Sequence, residues 1–375
     1  MQARYLQALA LLVGTIIGVG VFAIPFVSAG VGFFAASIEI LVLAILVLFV
    51  HLMYGDVVAV TTARHGLPGY IGLYLGKTWG RVSRFSHTLG LMGSMVAYVL
   101  LGSSFLHAIL ANFWPAVSLG WSMALFFIIG LIIFFYDSSF STEAEALLTF
   151  LLIAALSGLI GLGIYHGAFG FLDVLDVSQL PVPYGVILFA LSGSVVIPRV
   201  YETFSRNHSG FRRVIIAGTV IPAVFYVGFL FAILAASPAG VSKDAISGLI
   251  PVLGGSAVFV GSLIGFLATI TSYIGVGLAE KGLLQFDFGL PKVLAWLLTS
   301  VAPFVLIALG ISDFIALIAF IGALAIGFDN LMIIGLWSRL PRHIVLRALP
   351  RILPWILGIA FASGMVYQIF SLFSL

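Results

Sequence analysis

Two stretches of this chain place backbone groups where they could do chemistry inside a membrane. The first reads Val13-Gly14-Thr15-Ile16-Ile17-Gly18-Val19-Gly20-Val21-Phe22-Ala23-Ile24-Pro25. The second, far downstream, reads Phe189-Ala190-Leu191-Ser192-Gly193-Ser194-Val195-Val196-Ile197-Pro198. Both run from a glycine, through two residues and a small aliphatic, to Ile-Pro: Gly20 to Pro25 and Gly193 to Pro198. Glycine lowers helix propensity, and proline removes an amide donor and clashes with the preceding turn. In hydrocarbon the freed amides and carbonyls persist only where protein, water or a ligand satisfies them. Amides at the start of a half-helix, with its positive dipole end, suit an anionic group. Gly18 and Gly20 allow close backbone approach there. Unwound carbonyls around Ser192 and Gly193, with the Ser192 and Ser194 hydroxyls, suit a cationic one, and Phe189 is placed to close over both.

Those stretches need elements long enough to carry them across a bilayer, and the composition supplies them. Of 375 residues, 62% are hydrophobic and only 8% charged, too little charge to cover a soluble protein of this length. Repeated apolar runs near the roughly 20 residues that cross a bilayer make this a polytopic α-helical membrane protein. Eleven spans can be drawn, at 5–30, 33–62, 80–111, 117–136, 142–165, 183–205, 212–237, 254–283, 291–310, 313–337 and 352–373. Leu67-Pro68-Gly69-Tyr70 opens a short interfacial segment, and 238–251 forms another on the opposite side. The apolar run that starts after Arg4 continues past Pro25 and is too long for a signal peptide, so it reads as the first span. The absence of cysteine excludes disulfides and thiolate metal sites. Basic residues are scattered over loops, with no block suited to nucleic acid.

Lys and Arg asymmetry orients the chain with its N-terminus cytoplasmic and its C-terminus external. Fourteen of sixteen basic residues then lie inside: Arg4, Arg64, Lys77, Arg81, Arg84, Arg206, Arg212, Arg213, Lys281, Lys292, Arg339, Arg342, Arg347 and Arg351. Lys243 alone is outside, and Arg199 falls within the sixth span. The fourth-to-fifth connection is the exception, carrying Asp137, Glu143 and Glu145. One transmembrane domain is expected, with residues 1–165 as a first repeat, 183–337 as an inverted second repeat and 352–373 as an extra span. Two matched interruptions in two such halves point to a transporter's binding site. The Gly14-x-x-x-Gly18 spacing also serves helix packing, and it is the second stretch that favours transport. Ionisable residues within spans are costly and usually functional. Glu39, His51, Arg199, Glu202 and Asp329 are the candidates for coupling or gating, with Asp56 and Glu280 placed near solvated ends. Asp329 has the strongest claim to a partner inside the bundle, and Arg199 is expected to face Asp329, Glu202 or Glu280.

The segment Gly14 to Pro25 resembles the first helix of amino acid permeases of the amino acid–polyamine–organocation superfamily. Leu188 to Tyr201, with Arg212-Arg213-Val214-Ile215, Ile221-Pro222 and Tyr226, is similar to the amino acid/auxin permease branch. So is Leu52-Met53-Tyr54-Gly55-Asp56 with Leu67-Pro68-Gly69-Tyr70 and Tyr74-Leu75-Gly76. The resemblance implies an all-α membrane protein of the leucine-transporter type, a 5+5 inverted repeat with helices one and six broken at the substrate. It implies an amino acid held by Thr15, Gly18, Val19, Gly20, Tyr98, Phe189, Ser192, Gly193 and Ser194. It also implies one sodium ion, between the carbonyls of Gly14, Ile17 and Ala268 and the hydroxyls of Thr271 and Ser272. Such hydroxyls also bond back to their own helix. Some proton-coupled relatives carry a lysine on span five in place of the cation; this chain has none there. Arg199 stands where the branch has an acidic residue.

The reading is therefore a secondary active transporter of neutral amino acids, sodium-coupled and working by alternating access. Its alternative is proton-coupled symport, with Glu39, His51 or Asp329 titrating. Neither a selectivity-filter repeat, a nucleophile motif, a metal-ligand pair nor a phosphate-binding loop is present, which argues against a channel, an enzyme and a primary pump. No cofactor is expected beyond the coupling ion, and the partners are the lipid bilayer and a small amino acid.

Overall fold

The computed structural model describes residues 2–62, 65–137, 142–204, 208–341, 350 and 352–373, and these are helical almost throughout. The first span is a bent pair, α1 (Gln2–Ile16) and α2 (Gly20–Ser28), turning by 46° at the break. Then come α3 (Phe33–Val60), the short α4 (Leu67–Leu75), α5 (Lys77–Ala111), α6 (Leu119–Tyr136) and α7 (Thr142–His166). A second interrupted span follows, α8 (Tyr184–Leu191) and α9 (Ile197–Phe204), then α10 (His208–Ala236) and α11 (Ile250–Phe286). The last elements are α12 (Lys292–Ala308), α13 (Phe314–Phe320), α14 (Gly327–Ser338) and α15 (Leu353–Phe373). Among the described residues nine helices are long and apolar enough to cross a membrane, the bent pair makes a tenth span, and α12 is a shorter apolar helix. Arg64, Arg206, Arg342, Arg347 and Arg351, used above to orient the chain, lie outside the described residues.

The core forms around the broken segments. All of α8 after Tyr184 is buried, as is nearly all of α2, while α15 and α6 present apolar side chains outward. Exposed apolar faces on outer helices are what lipid requires. The tenth span is itself irregular, because residues 321–326 between α13 and α14 wind as a π-helix. The widened turn packs against α8 with no room for a side chain: a Cβ on Gly322 would strike the Gly185 carbonyl. Such π segments tend to mark functional positions.

Three ion pairs tie helix ends together. Asp137, in left-handed conformation at the end of α6, takes the buried Lys281 of α11 and, at 2.6 Å, Lys292 of α12. Lys281 also donates to the Phe134 carbonyl, so a cation caps the negative end of α6. Asp137 of the acidic fourth-to-fifth connection thus finds its counter-charges on α11 and α12. Across the bundle, Lys243 meets Asp313, the N-cap of α13, at 2.6 Å.

Candidate functional site at the two helix breaks

The first break keeps most of its hydrogen bonding local. Ile17 N–H donates to the Val13 carbonyl at 2.8 Å and Gly18 N–H to Ile16 at 2.9 Å. Val21 and Phe22 close tight turns onto Gly18 and Val19 at 3.4 and 3.2 Å. The second break is wider. Ser192 is extended, Gly193 leaves helical geometry, and residues 194–196 form a single 3-10 turn before α9, with Pro198 in its first turn.

Two side chains from the surrounding helices satisfy what the breaks leave open. His51 of α3 accepts the Gly193 N–H on Nε2 at 3.2 Å, and its Nδ1 lies 3.0 Å from the Thr219 hydroxyl. That hydroxyl donates to the Ile215 carbonyl, so it accepts from Nδ1–H and the imidazole is neutral. His51, a coupling candidate in the sequence, is here committed to holding the second break. Tyr226 of α10 reaches both breaks at once, its hydroxyl 2.6 Å from the Ile16 carbonyl and 2.8 Å from that of Ala190. Nothing in the local sequence around Tyr226 assigns it this bridge, although it falls within the family-like stretch.

Between the breaks lies a cavity of about 70 Å³. Thr15, Gly18, Val19 and Gly20 line it from the first break, Phe189, Ser192 and Ser194 from the second, and Tyr98 from α5. Gly193 does not line it, because a Cβ there would meet Ile16 Cγ1 at 2.7 Å and Leu12 at 2.9 Å. Gly20 lines the cavity but also packs on α8, since a Cβ would lie 2.7 Å from the Ala190 Cα. The Thr15 hydroxyl is spent on the Leu11 carbonyl at 2.8 Å. Residues that the sequence did not single out complete the lining, notably Ser94, Ala325 and His87.

Of the five residues expected to hold sodium, Gly14, Thr271 and Ser272 line a neighbouring cavity of about 300 Å³ between α1, α7 and α11; Ile17 and Ala268 do not. Thr271 turns its hydroxyl back to the Leu267 and Ala268 carbonyls at 2.9 and 3.1 Å. The Ser272 hydroxyl is buried next to the Tyr98 hydroxyl, and a Cβ on Gly18 would lie 3.0 Å from the first and 3.4 Å from the second. Thr149 of α7 stands against Gly14, its hydroxyl donating to Glu145 O and Ala10 O.

The charged candidates separate. Arg199 forms a two-pronged pair with Glu145 of α7, at 3.1 and 3.2 Å, and not with Asp329, Glu202 or Glu280; the α9 helix that starts at the second break aims it at α7. Asp329 pairs with His87 of α5, sharing a 2.6 Å hydrogen bond. Glu280, expected near solvent, is fully buried with both carboxyl oxygens unpartnered among the described residues. Glu39 sits on the other half of α3, half-buried, one oxygen without a hydrogen-bond partner among the described residues. Asp56 accepts from the Trp337 indole at 3.0 Å. A vestibule of about 1050 Å³, lined by Glu202, Arg199, His65 and Asp287, opens where α3 ends and α4 begins. His87, Leu91, Ser194 and Val195 line both it and the cavity at the breaks, so they form the wall that the two share.

This geometry agrees with what the chain is similar to. The profile of the tryptophan/tyrosine permease family matches residues 1–336. Among curated proteins none matches in sequence. Among solved structures, MhsT in complex with L-phenylalanine superposes with a TM-score of 0.73 at 16% identity, over 97% of this chain and 98% of that one. The fold is therefore that of the leucine-transporter type, with its first and sixth spans broken, and the molecule is a transporter and not an enzyme.

Proposed function

Because the chain belongs to the tryptophan/tyrosine permease family, we propose that it is a secondary active transporter of aromatic amino acids, coupled to sodium and working by alternating access. The observation that carries this reading is the cavity between the two breaks, where Gly18, Val19 and Gly20 of one meet Ser192 and Ser194 of the other. The substrate carboxylate takes the amides at the start of α2 and the ammonium takes carbonyls and hydroxyls around Ser192. Phe189 and Tyr98 flank the side chain. MhsT, of the same fold, was solved with L-phenylalanine, which supports an aromatic substrate here. Sodium is assigned to Gly14, Ile17, Ala268, Thr271 and Ser272, five oxygens of low charge that suit a monovalent hard cation. The Ser272 hydroxyl, buried beside Gly18 of the first break, supports that assignment. The likeness to the amino acid/auxin permease branch is read as kinship between that branch and this family. With the N-terminus cytoplasmic, the vestibule faces the cytoplasm and the conformation is inward-facing. The molecule belongs in the cell membrane, with residues 1–165 and 183–337 as its inverted repeats.

Counterflow of labelled tryptophan into proteoliposomes preloaded with tryptophan tests transport directly; no exchange with any aromatic amino acid would sink it. An inward sodium gradient is expected to drive uptake, with Thr271→Val and Ser272→Ala weakening apparent sodium affinity. Uptake indifferent to sodium would remove that ion. For orientation, cysteines at Ser118 and Ser242 should react with an impermeant thiol reagent from outside, and one at Ser338 should not. The reverse pattern would invert the topology. Proton coupling is a second reading, favoured by the carboxyl groups buried around His87.

A further inference from the structure

We propose that the slot between α1, α7, α9 and α11 is a second amino-acid site, separate from the cavity at the breaks, where an aromatic amino acid on the vestibule side binds and slows further transport. The inference rests on the transport reading and adds a site that the two breaks do not require. The slot measures about 300 Å³, at the lower end of the roughly 300–1,000 Å³ range of small-molecule pockets and larger than the cavity at the breaks. Small residues open it. Ala10 of α1 and Ala279 of α11 line it, and a Cβ added to Gly275 of α11 would meet nothing within 4 Å. Leu11 of α1, Leu148 and Leu152 of α7 and Leu278 of α11 supply apolar walls that suit a ring.

Charge selects the ligand. Among the described residues lining the slot, the charged ones are Glu145 of α7 and Arg199 of α9, and they stand together at 3.1 Å. Their side chains are 19% and 45% exposed, so the charged end is an open one. Arg199 also lines the vestibule, which puts the pair within reach of a molecule there. Its guanidinium spends two of five N–H groups on Glu145, and the other three have no partner among the described residues. Each Glu145 carboxyl oxygen accepts one of those bonds and keeps further lone-pair capacity. The pair can therefore take a carboxylate at the guanidinium and an ammonium at the carboxyl without coming apart. A simple anion would meet Glu145 and a simple cation would meet Arg199, and such like-charge juxtapositions are costly. A zwitterion avoids both. An α-amino acid with an aromatic side chain offers the two opposite charges on neighbouring atoms and a ring for the leucines.

Occupation of the slot bears on transport because of what it touches. α1 and α9 are halves of the two broken spans, and Thr15, Val195 and Val276 line both the slot and the cavity at the breaks. A ligand held by α7, α9 and α11 at once favours the arrangement in which those walls stand as they do here. The protein must shed it before these helices move, so accumulated product slows the next cycle. The anchors, Glu145 and Arg199, are distinct from Gly14, Thr271 and Ser272, which are assigned above to sodium.

The test is made on the full chain, in detergent and in proteoliposomes. Equilibrium dialysis with labelled tryptophan should find two binding classes in the wild type. Leu148→Trp fills the slot from a residue that lines neither the cavity at the breaks nor the vestibule, and it should leave one class. Glu145→Gln should weaken the second class about tenfold, as expected for one hydrogen bond to a charged group, and leave the first unchanged. Tryptamine and 3-indolepropionate, each missing one charge, should bind the second class about tenfold more weakly than tryptophan. With equal tryptophan and sodium on both sides of the vesicle, wild-type tracer exchange should rise with concentration and then fall, whichever way the protein inserts. In Leu148→Trp it should only saturate, and in Glu145→Gln the fall should move to about tenfold higher concentration. One binding class in the wild type with saturating exchange overturns this proposal and leaves transport standing. No exchange at any concentration defeats the transport reading itself, and dialysis then decides the site alone. Should Leu148→Trp fail to fold, Glu145→Gln decides. An unmoved second class in Glu145→Gln overturns the proposal, as does 3-indolepropionate binding as tightly as tryptophan, which would make the slot a site for amphiphilic anions.

Discussion

The two helix breaks look alike in sequence and are held in different ways. The first bends by 46° and repairs itself with short backbone turns, so its conformation is largely its own. The second runs through an extended serine and a single 3-10 turn, and it borrows an acceptor from His51 on another helix. Tyr226 bridges them with one hydroxyl proton shared between two carbonyls, of which that of Ile16 also accepts the Gly18 N–H. A break sustained by its own backbone can persist while its neighbours move. One sustained by side chains of α3 and α10 changes when those helices shift, which is the property expected of the moving part.

The sharpest way to break this comparison is at the glycines. Gly20→Ala places a Cβ 2.6 Å from the Ala190 Cβ and 2.7 Å from its Cα, where backbone cannot give way. A loss of about 3 kcal/mol is expected, near the upper end for overpacking, read as a lower thermal midpoint in detergent together with lost counterflow. Gly193→Ala meets flexible ends of Ile16 and Leu12 instead, so it should cost about 1 kcal/mol and be partly relieved by Ile16→Val. Equal losses would mean that the two breaks are packed equally tightly. If Gly20→Ala proved stable and only weakened substrate affinity, the glycine would serve the ligand alone.

His51→Leu should cost about 2 kcal/mol, because the buried Gly193 N–H loses its acceptor. Tyr226→Phe should cost about 1 kcal/mol, since an under-satisfied carbonyl is tolerated better than an orphaned amide. Measured together, the two substitutions should couple by about 0.5 kcal/mol or more if both side chains hold one structure; simple additivity would make the breaks independent.

The smallest effect is expected far from the breaks, at Asp137. Burial pushes its carboxyl up, but the hydrogen bonds and charges of Lys281 and Lys292 outweigh that and hold it below the usual carboxylate range. Its tether is therefore complete above the ordinary carboxyl range and is lost as pH falls through the depressed value. The thermal midpoint should show a shallow acid decline that Asp137→Asn removes, with no change in counterflow at neutral pH.

What the sequence determined by itself is the helical membrane architecture and the location of the breaks. Each span was legible because about 20 apolar residues in a row have few folded alternatives in lipid. The two Gly…Ile-Pro stretches were legible because glycine and proline act on their own backbone, whatever surrounds them. Eight of the nine residues expected around the substrate line one cavity for the same reason, since they cluster at those breaks or, like Tyr98, belong to a family pattern. Pairing was a different matter. Arg199 meets Glu145 and not Asp329, Asp329 meets His87, and Glu280 is buried without a hydrogen-bond partner among the described residues, all through helix rotations that composition leaves open. Gly193 turned to Ile16, and Tyr226 tied the two breaks together, because helices distant in sequence pack against them. A side chain's type says what it can bond, but its partner is chosen by which faces of α3, α5, α7, α10, α11 and α14 meet in the bundle. That choice is made by the summed packing of many apolar contacts, none of which is local in sequence.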